Sequence, residues 1–116
     1  MDFENNEKIQ GLVDKLIAHA KQRGIDLNYD VATDEIQFAL LEYYNDRHFN
    51  PTDDEPFESI YTGIIIQLAL SAIAKYGAEG EKSHGEGGIK RVYDNASGYP
   101  LSLTRKIIPL AKGVDG

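Results

Sequence analysis

The chain has no cysteine, which excludes disulfides, thiolate nucleophiles and cysteine-ligated zinc or iron–sulfur centres. It has no excess of positive charge either. Nineteen acidic side chains stand against twelve basic ones, for a net charge of -7 and a pI near 4.8. A free-standing DNA-binding module needs a basic stripe to displace counterions from phosphates, so that class is set aside. There are only four prolines, and the eleven glycines form no repeat; with 41% hydrophobic content, collagen-like, mucin-like and wholly disordered chains are excluded. Long apolar runs are missing as well. The most apolar stretch, Ile60 to Ala74, covers 15 residues and contains Thr62, Gln67 and Ser71, short of the roughly 20 residues that span a bilayer. The opening MDFENNEKIQ has no basic segment followed by an apolar one. The expectation is a chain without a secretory signal or a membrane partner, working in the cytosol or in a virion.

What is present fits one domain, since 116 residues lie within the usual size of about 100–150. Charge is unevenly spread. Residues 1–58 hold fourteen acidic and five basic side chains, whereas residues 59–116 hold five acidic and seven basic.

Three helices are legible. Ile9, Leu12, Val13, Leu16, Ile17 and Ala20 recur at i, i+3, i+4, i+7, i+8 and i+11, one apolar stripe. Asp14, Lys15 and Lys21 lie on the opposite, solvated face, and Gly24 is the expected stop. The second helix is expected from Thr33, with Asp34 and Glu35 at the positive end of its dipole. Ile36, Ala39, Leu40, Tyr43 and Arg47 run along one face, and the helix should end at His48-Phe49-Asn50-Pro51. The third is expected from Thr52-Asp53-Asp54-Glu55, a capping-box spacing with Pro56 in the first turn, and runs to Tyr76 with Gly77 as its stop. It is apolar nearly all round from Ile64 to Ile73, as a helix covered on two sides must be.

From Gly77 to Pro100 the helical period disappears, and six of these 24 residues are glycine. Glu81-Lys82-Ser83-His84 and Ile89-Lys90-Arg91-Val92-Tyr93 flank Gly85-Glu86-Gly87-Gly88, a pattern for a β-hairpin with a glycine turn. A disordered loop is the competing reading. An isolated hairpin needs support, and a neighbouring subunit would supply it. Leu101 to Ile108 then form one or two helical turns stopped by Pro109, and the last residues fray.

None of these features argues for catalysis. Gly80-Glu81-Lys82-Ser83 lacks the glycine beside lysine and the strand-to-helix setting of a phosphate loop, and Glu79, Glu81 and Glu86 would repel phosphate. His19, His48 and His84 lie on separate segments without metal-ligand spacing. The run Asp53-Asp54-Glu55 reads as a helix start rather than a cation site. Ser83, Ser97 and Ser102 have no nucleophile-elbow motif. No enzyme activity, cofactor or metal is expected. Tyr43, Tyr61 and Tyr76 read as core or rim, while Tyr93 and Tyr99 suit contact surfaces.

The stretch from Tyr76 through Gly77-Ala-Glu-Gly80 and Ser83-x-x-Glu86-x-Gly88-Ile89-x-Arg91 to Tyr93, followed by Gly98-Tyr-Pro-Leu-Ser-Leu103 and Ile107-Ile-Pro109, resembles the head–tail connector family. These are the head-completion adaptors of long-tailed phages and prophages. The order and length of the upstream helices agree, so the likeness covers most of the chain.

The resemblance implies an all-α fold: a small bundle of three main helices plus a short C-terminal helix, with a glycine-rich β-hairpin loop. Residues 1–116 would be a single connector domain, with a helical core over 5–77, the hairpin loop over 78–100 and a docking segment over 101–116. It further implies a dodecameric ring beneath the portal protein that extends the DNA channel, binds no DNA specifically, and receives a stopper or tail-completion protein. Ser83, Ile89, Arg91 and Tyr93 would lie between subunits. Leu101, Leu103, Arg105, Ile107 and Ile108 would face the portal; the competing expectation is that this apolar face packs back on its own bundle. The acidic first half beside a slightly basic second half suits head-to-tail association. A small helical adaptor or regulator that binds one cellular partner without ring assembly is the alternative function.

Overall fold

A computed structural model of the chain describes Phe3, residues 5–77 and residues 99–110. Helix α1 runs over Glu7–Gln22. Asn6 starts it: its side-chain oxygen accepts from the Lys8 amide at 3.0 Å and the Ile9 amide at 3.3 Å, two of the donors that a first turn leaves open. Gly24 stops it, with φ at +80° and its amide donating to the Lys21 carbonyl at 2.9 Å. That left-handed conformation costs glycine nothing. Between the two, Ile9, Leu12, Val13, Leu16 and Ala20 are buried, while Asp14, Lys15 and Lys21 are exposed, as the apolar stripe requires.

Helix α2 spans Tyr29–Arg47, one turn longer at its start than a Thr33 cap would allow. Asn28 is the cap, accepting from the Val31 amide at 2.8 Å. Thr33 lies inside the helix and its hydroxyl donates back to the Tyr29 carbonyl at 2.8 Å. The earlier start brings Ala32 into the fully buried row of Ile36, Ala39, Leu40 and Tyr43, and that burial favours the longer helix. The acidic residue of the first turn is Asp30, not Asp34 or Glu35; Glu35 sits well inside the helix and is buried. The chain leaves α2 through His48, left-handed at φ 60°, which turns Phe49 back so that its ring centroid lies 5.5 Å from that of Tyr43.

No helix starts at Thr52. The capping-box residues close a compact turn instead: Thr52 Oγ1 accepts from the Glu55 amide at 2.9 Å, and the Thr52 amide donates to the Glu55 carbonyl at 3.1 Å. The reason is tertiary. The Tyr44 hydroxyl donates to the Pro56 carbonyl at 2.7 Å, and the Tyr43 hydroxyl accepts from the Glu58 amide at 3.0 Å. These bonds take backbone groups that helical turns there would need. Pro56 is buried, Glu58 is extended, and a 3-10 turn over Ser59–Tyr61 leads into helix α3, Thr62–Ala72. A wider π-helical turn, Ile73–Gly77, finishes it at the glycine expected to stop it.

α1 and α2 pack on each other, and both pack on α3. Ile65, Ile66, Leu68, Ala69, Leu70, Ala72 and Ile73 are buried, so α3 is covered on two sides, as its all-round apolar pattern demands. Helix α4, Leu101–Thr104, rests on α3. The fold is an all-α bundle, with no strand among the described residues; the expected hairpin at 81–93 lies outside them.

Three substitutions test this packing. A Cβ added at Gly11 or Gly63 would meet nothing within 4 Å, and glycine within a helix costs about 0.5–1 kcal/mol relative to alanine. Gly11→Ala, in mid-α1, should stabilise the protein by about that amount in a urea melt, with a smaller gain for Gly63→Ala in the first turn of α3. Leu68→Asp places a charge at a fully buried position and should abolish the cooperative melt.

Candidate functional site

The last turn of α2 is where three segments of the chain meet. Arg47 Nε donates to both carboxylate oxygens of Glu58, at 2.9 and 3.0 Å, and its Nη1 donates to the Ile108 carbonyl. The guanidinium carbon lies 5.1 Å from the centroid of the Tyr61 ring, within cation–π range. The Arg47 carbonyl accepts from the Leu110 amide at 2.9 Å, and the Tyr61 hydroxyl accepts from the Ile108 amide at 3.3 Å. Only a planar, many-donor cation can serve a carboxylate, a carbonyl and a ring face together. The Glu58 carboxylate pushes the Arg47 pKa further above its ordinary value, chiefly through the hydrogen bond. Burial drives the Tyr43 phenol up to about 12, partly opposed by the hydrogen bond from the Glu58 amide, and raises that of Tyr44 as well. Both tyrosines therefore stay neutral and keep their bonds to the 56–58 backbone.

This junction fixes residues 101–110 against the bundle. Helix α4 makes a single turn from Leu101, with the Arg105 amide donating to the Leu101 carbonyl at 2.9 Å; the chain then tightens, with the Ile107 amide on the Thr104 carbonyl at 3.0 Å. The five residues expected to act as one face are therefore divided. Ile107 is 4% exposed and belongs to the core, with Leu103 half-buried against it. Leu101 is 66% and Ile108 64% exposed, and Arg105 is exposed too. A seven-residue spacing keeps two residues on one side only while the helix continues, and this helix stops at Thr104.

Other sites sort as follows. Ser83, Ile89, Arg91 and Tyr93 lie outside the described residues, so the inter-subunit set is not brought together here. Tyr43 and Tyr61 are core, and Tyr99 is half-buried against the core rather than displayed as a contact residue. His19 and His48 are exposed. Asp53 and Asp54 do not cap a helix; their carbonyls accept from the Asn6 amide nitrogen and the Lys8 ammonium, which ties this turn to the start of α1. Among the described residues no group of three or more His, Asp or Glu side chains could hold a metal, and no helix is long and apolar enough to cross a membrane.

Sequence reasoning missed the exposed apolar residues Ile60 and Leu110 and the anchoring role of Arg47. Its one signal for Arg47 was a cation on the same helical face as Ile36, Leu40 and Tyr43, where a charge needs a partner.

Removing the guanidinium should loosen this end of the molecule as a unit. Arg47→Met strands the Glu58 carboxylate, whose side chain is only 17% exposed, and should cost about 1–3 kcal/mol in a denaturant melt. Arg47→Lys should recover little of it, since one ammonium cannot span Glu58 and the Ile108 carbonyl in this geometry.

Comparison with family models, with curated proteins and with solved structures finds no match to this chain.

Proposed function

We propose that this protein is a structural virion component that forms a ring at the head–tail junction beneath the portal, extends the DNA channel and joins the head to a stopper or tail protein, without enzymatic activity. One observation supports it most. The segment 101–110 is bonded to Arg47 and Tyr61 and buries Ile107, yet it holds Leu101 and Ile108 out to solvent beside the exposed cations Arg105 and Lys106. Scattered exposed apolar residues are ordinary. Here Leu101, Ile108 and Leu110 sit on one short segment that is already anchored to the bundle, and apolar residues beside arginine are common at the centre of protein interfaces. The net charge of -7 agrees with a channel wall past which DNA slides without being held. On this reading the protein works at the head–tail junction of the virion and passes through the host cytoplasm during assembly.

A double substitution, Leu101→Asp with Ile108→Asp, tests the docking role, because both residues stand outside the core. Circular dichroism and the thermal melt should stay close to wild type, since exposed changes usually cost less than about 0.5 kcal/mol. Attachment to portal-bearing heads should be lost, leaving filled heads that leak DNA and lack tails. A folded double variant that still joins heads and supports tail addition would overturn the docking role. Absence of any ring in electron micrographs of the wild-type protein mixed with its portal would favour a helical adaptor that binds a single partner.

A further inference from the structure

The side of α1 that faces away from the core is ordered around Gly11. Glu7, Lys8, Asp14 and Lys15 stand three or four residues either side of it, and all four are exposed. At 3.6 residues per turn they flank Gly11 on its own face of the helix. Lys8 and Lys15 lie along one flank, and Glu7 and Asp14 along the other, each pair seven residues apart. Among the described residues Glu7, Asp14 and Lys15 take part in no ion pair, and the Lys8 ammonium donates to a neutral group, the Asp54 carbonyl.

Nothing within the fold requires glycine at position 11. Its backbone is that of an ordinary helix, a Cβ there would meet nothing within 4 Å, and glycine inside a helix costs stability relative to alanine. What it permits is the close approach of another backbone. With Lys8 and Lys15, Gly11 also lines an open cleft of about 350 Å³, whose other wall is formed by Glu55, Phe57 and Thr62. Two lysines against one carboxylate leave this cleft positive, in the more acidic half of the chain.

We propose that this face of α1 receives a second copy of the chain, with the two α1 helices parallel, Gly11 against the partner's Gly11, and a two-fold axis running along the pair. The same face then supplies both halves of the contact. Lys8 meets the partner's Glu7 and Lys15 meets the partner's Asp14, because the lysines and the carboxylates share one spacing, and the symmetry repeats both pairs. Reversing one helix would set Lys8 beside the partner's Lys15 and Glu7 beside the partner's Asp14, so like charges oppose the antiparallel arrangement.

Exposed ion pairs contribute little each; their effect here is to set direction and register. A contact confined to one helix face is smaller than a standard interface. The dimer is therefore weak, forms at high protein concentration and dissociates as salt screens the pairs. This pairing is a property of the free chain and does not rest on the docking role of Leu101 and Ile108.

Sedimentation of the wild-type protein at low salt should show a monomer–dimer equilibrium that shifts to monomer at high salt. Gly11→Gln has open space in the monomer, so it should keep the helical circular dichroism while weakening the dimer by about tenfold or more. Asp14→Lys alone and Lys15→Asp alone should weaken it similarly, and the two together should restore it. The chain has no cysteine, so a spin label on Gln22→Cys, at the exposed end of α1, reads the direction. Parallel helices bring the two labels within about 20 Å, whereas antiparallel helices meeting at Gly11 would hold them about 33 Å apart. A wild-type protein that stays monomeric at millimolar concentration in low salt would overturn the proposal. So would a dimer that Gly11→Gln leaves intact, a charge exchange that restores nothing, or the longer label distance.

Discussion

The arrangement of this end of the molecule depends on a single guanidinium. Arg47 holds Glu58, the Ile108 carbonyl and the Tyr61 ring at once, and these belong to two stretches, 58–61 and the C-terminal segment, that are far apart in sequence. A half-buried ion pair is weak evidence for stability, because the desolvation of both charges offsets much of their attraction. Its effect here is to specify geometry. Once α2 ends at Arg47, the planar fork fixes where Glu58 comes to rest, and with it the direction in which the chain enters the 3-10 turn and α3. The same group fixes the height at which Ile108 crosses the bundle. Tyr43 and Tyr44 support it from the preceding turn by holding Glu58 and Pro56.

The last two turns of α2 present different chemistry on different faces. Tyr43 and Arg47 meet the 56–61 connection and the Ile108 carbonyl through donors and a cation. Glu42 and Asp46, one residue back in each turn, present acidic groups, with Asp46 at the cleft under Thr104–Pro109. The C-terminal segment is thus held at its far end by a cation that stays charged in the physiological range, while its middle lies across a cleft from the Asp46 side chain.

Legibility in the sequence followed how local each determinant is. In α1 the stripe, the glycine stop and the solvated face were readable, because all are set within 24 residues; its cap, Asn6, was not named. In α2 the apolar face was readable and the start was not. Asn28 and Thr33 are both competent caps, and the choice fell to the burial of Ala32, which only the partner helices define. The Thr52 turn misled for a related reason: its capping bond does form, but Tyr43 and Tyr44 claim the backbone just beyond it. The bonds of Arg47 to Glu58 and Ile108, 11 and 61 residues away, leave no spacing that sequence periodicity can detect. In the C-terminal segment the apolar residues were legible, but their division between core and surface was not, because it turns on the helix stopping at Thr104.

That division bears on how a docking face is made. Ile107 and Ile108 are neighbours in a tight stretch, and burying one turns the other outward. The exposure of Ile108 is thus a consequence of the seating of Ile107 and of the bonds from Arg47 and Tyr61 to the Ile108 backbone. An apolar residue on a loose tail would have to be ordered at the moment of binding, at a cost of about 1–2 kcal/mol for each backbone residue fixed. Here that ordering is already supplied by the fold, so a partner that met Leu101 and Ile108 would bind a prearranged surface. Whatever loosens the seat of Ile107 weakens such a surface without touching any residue on it. The packing of the C-terminal segment therefore sets the position of the exposed side chains.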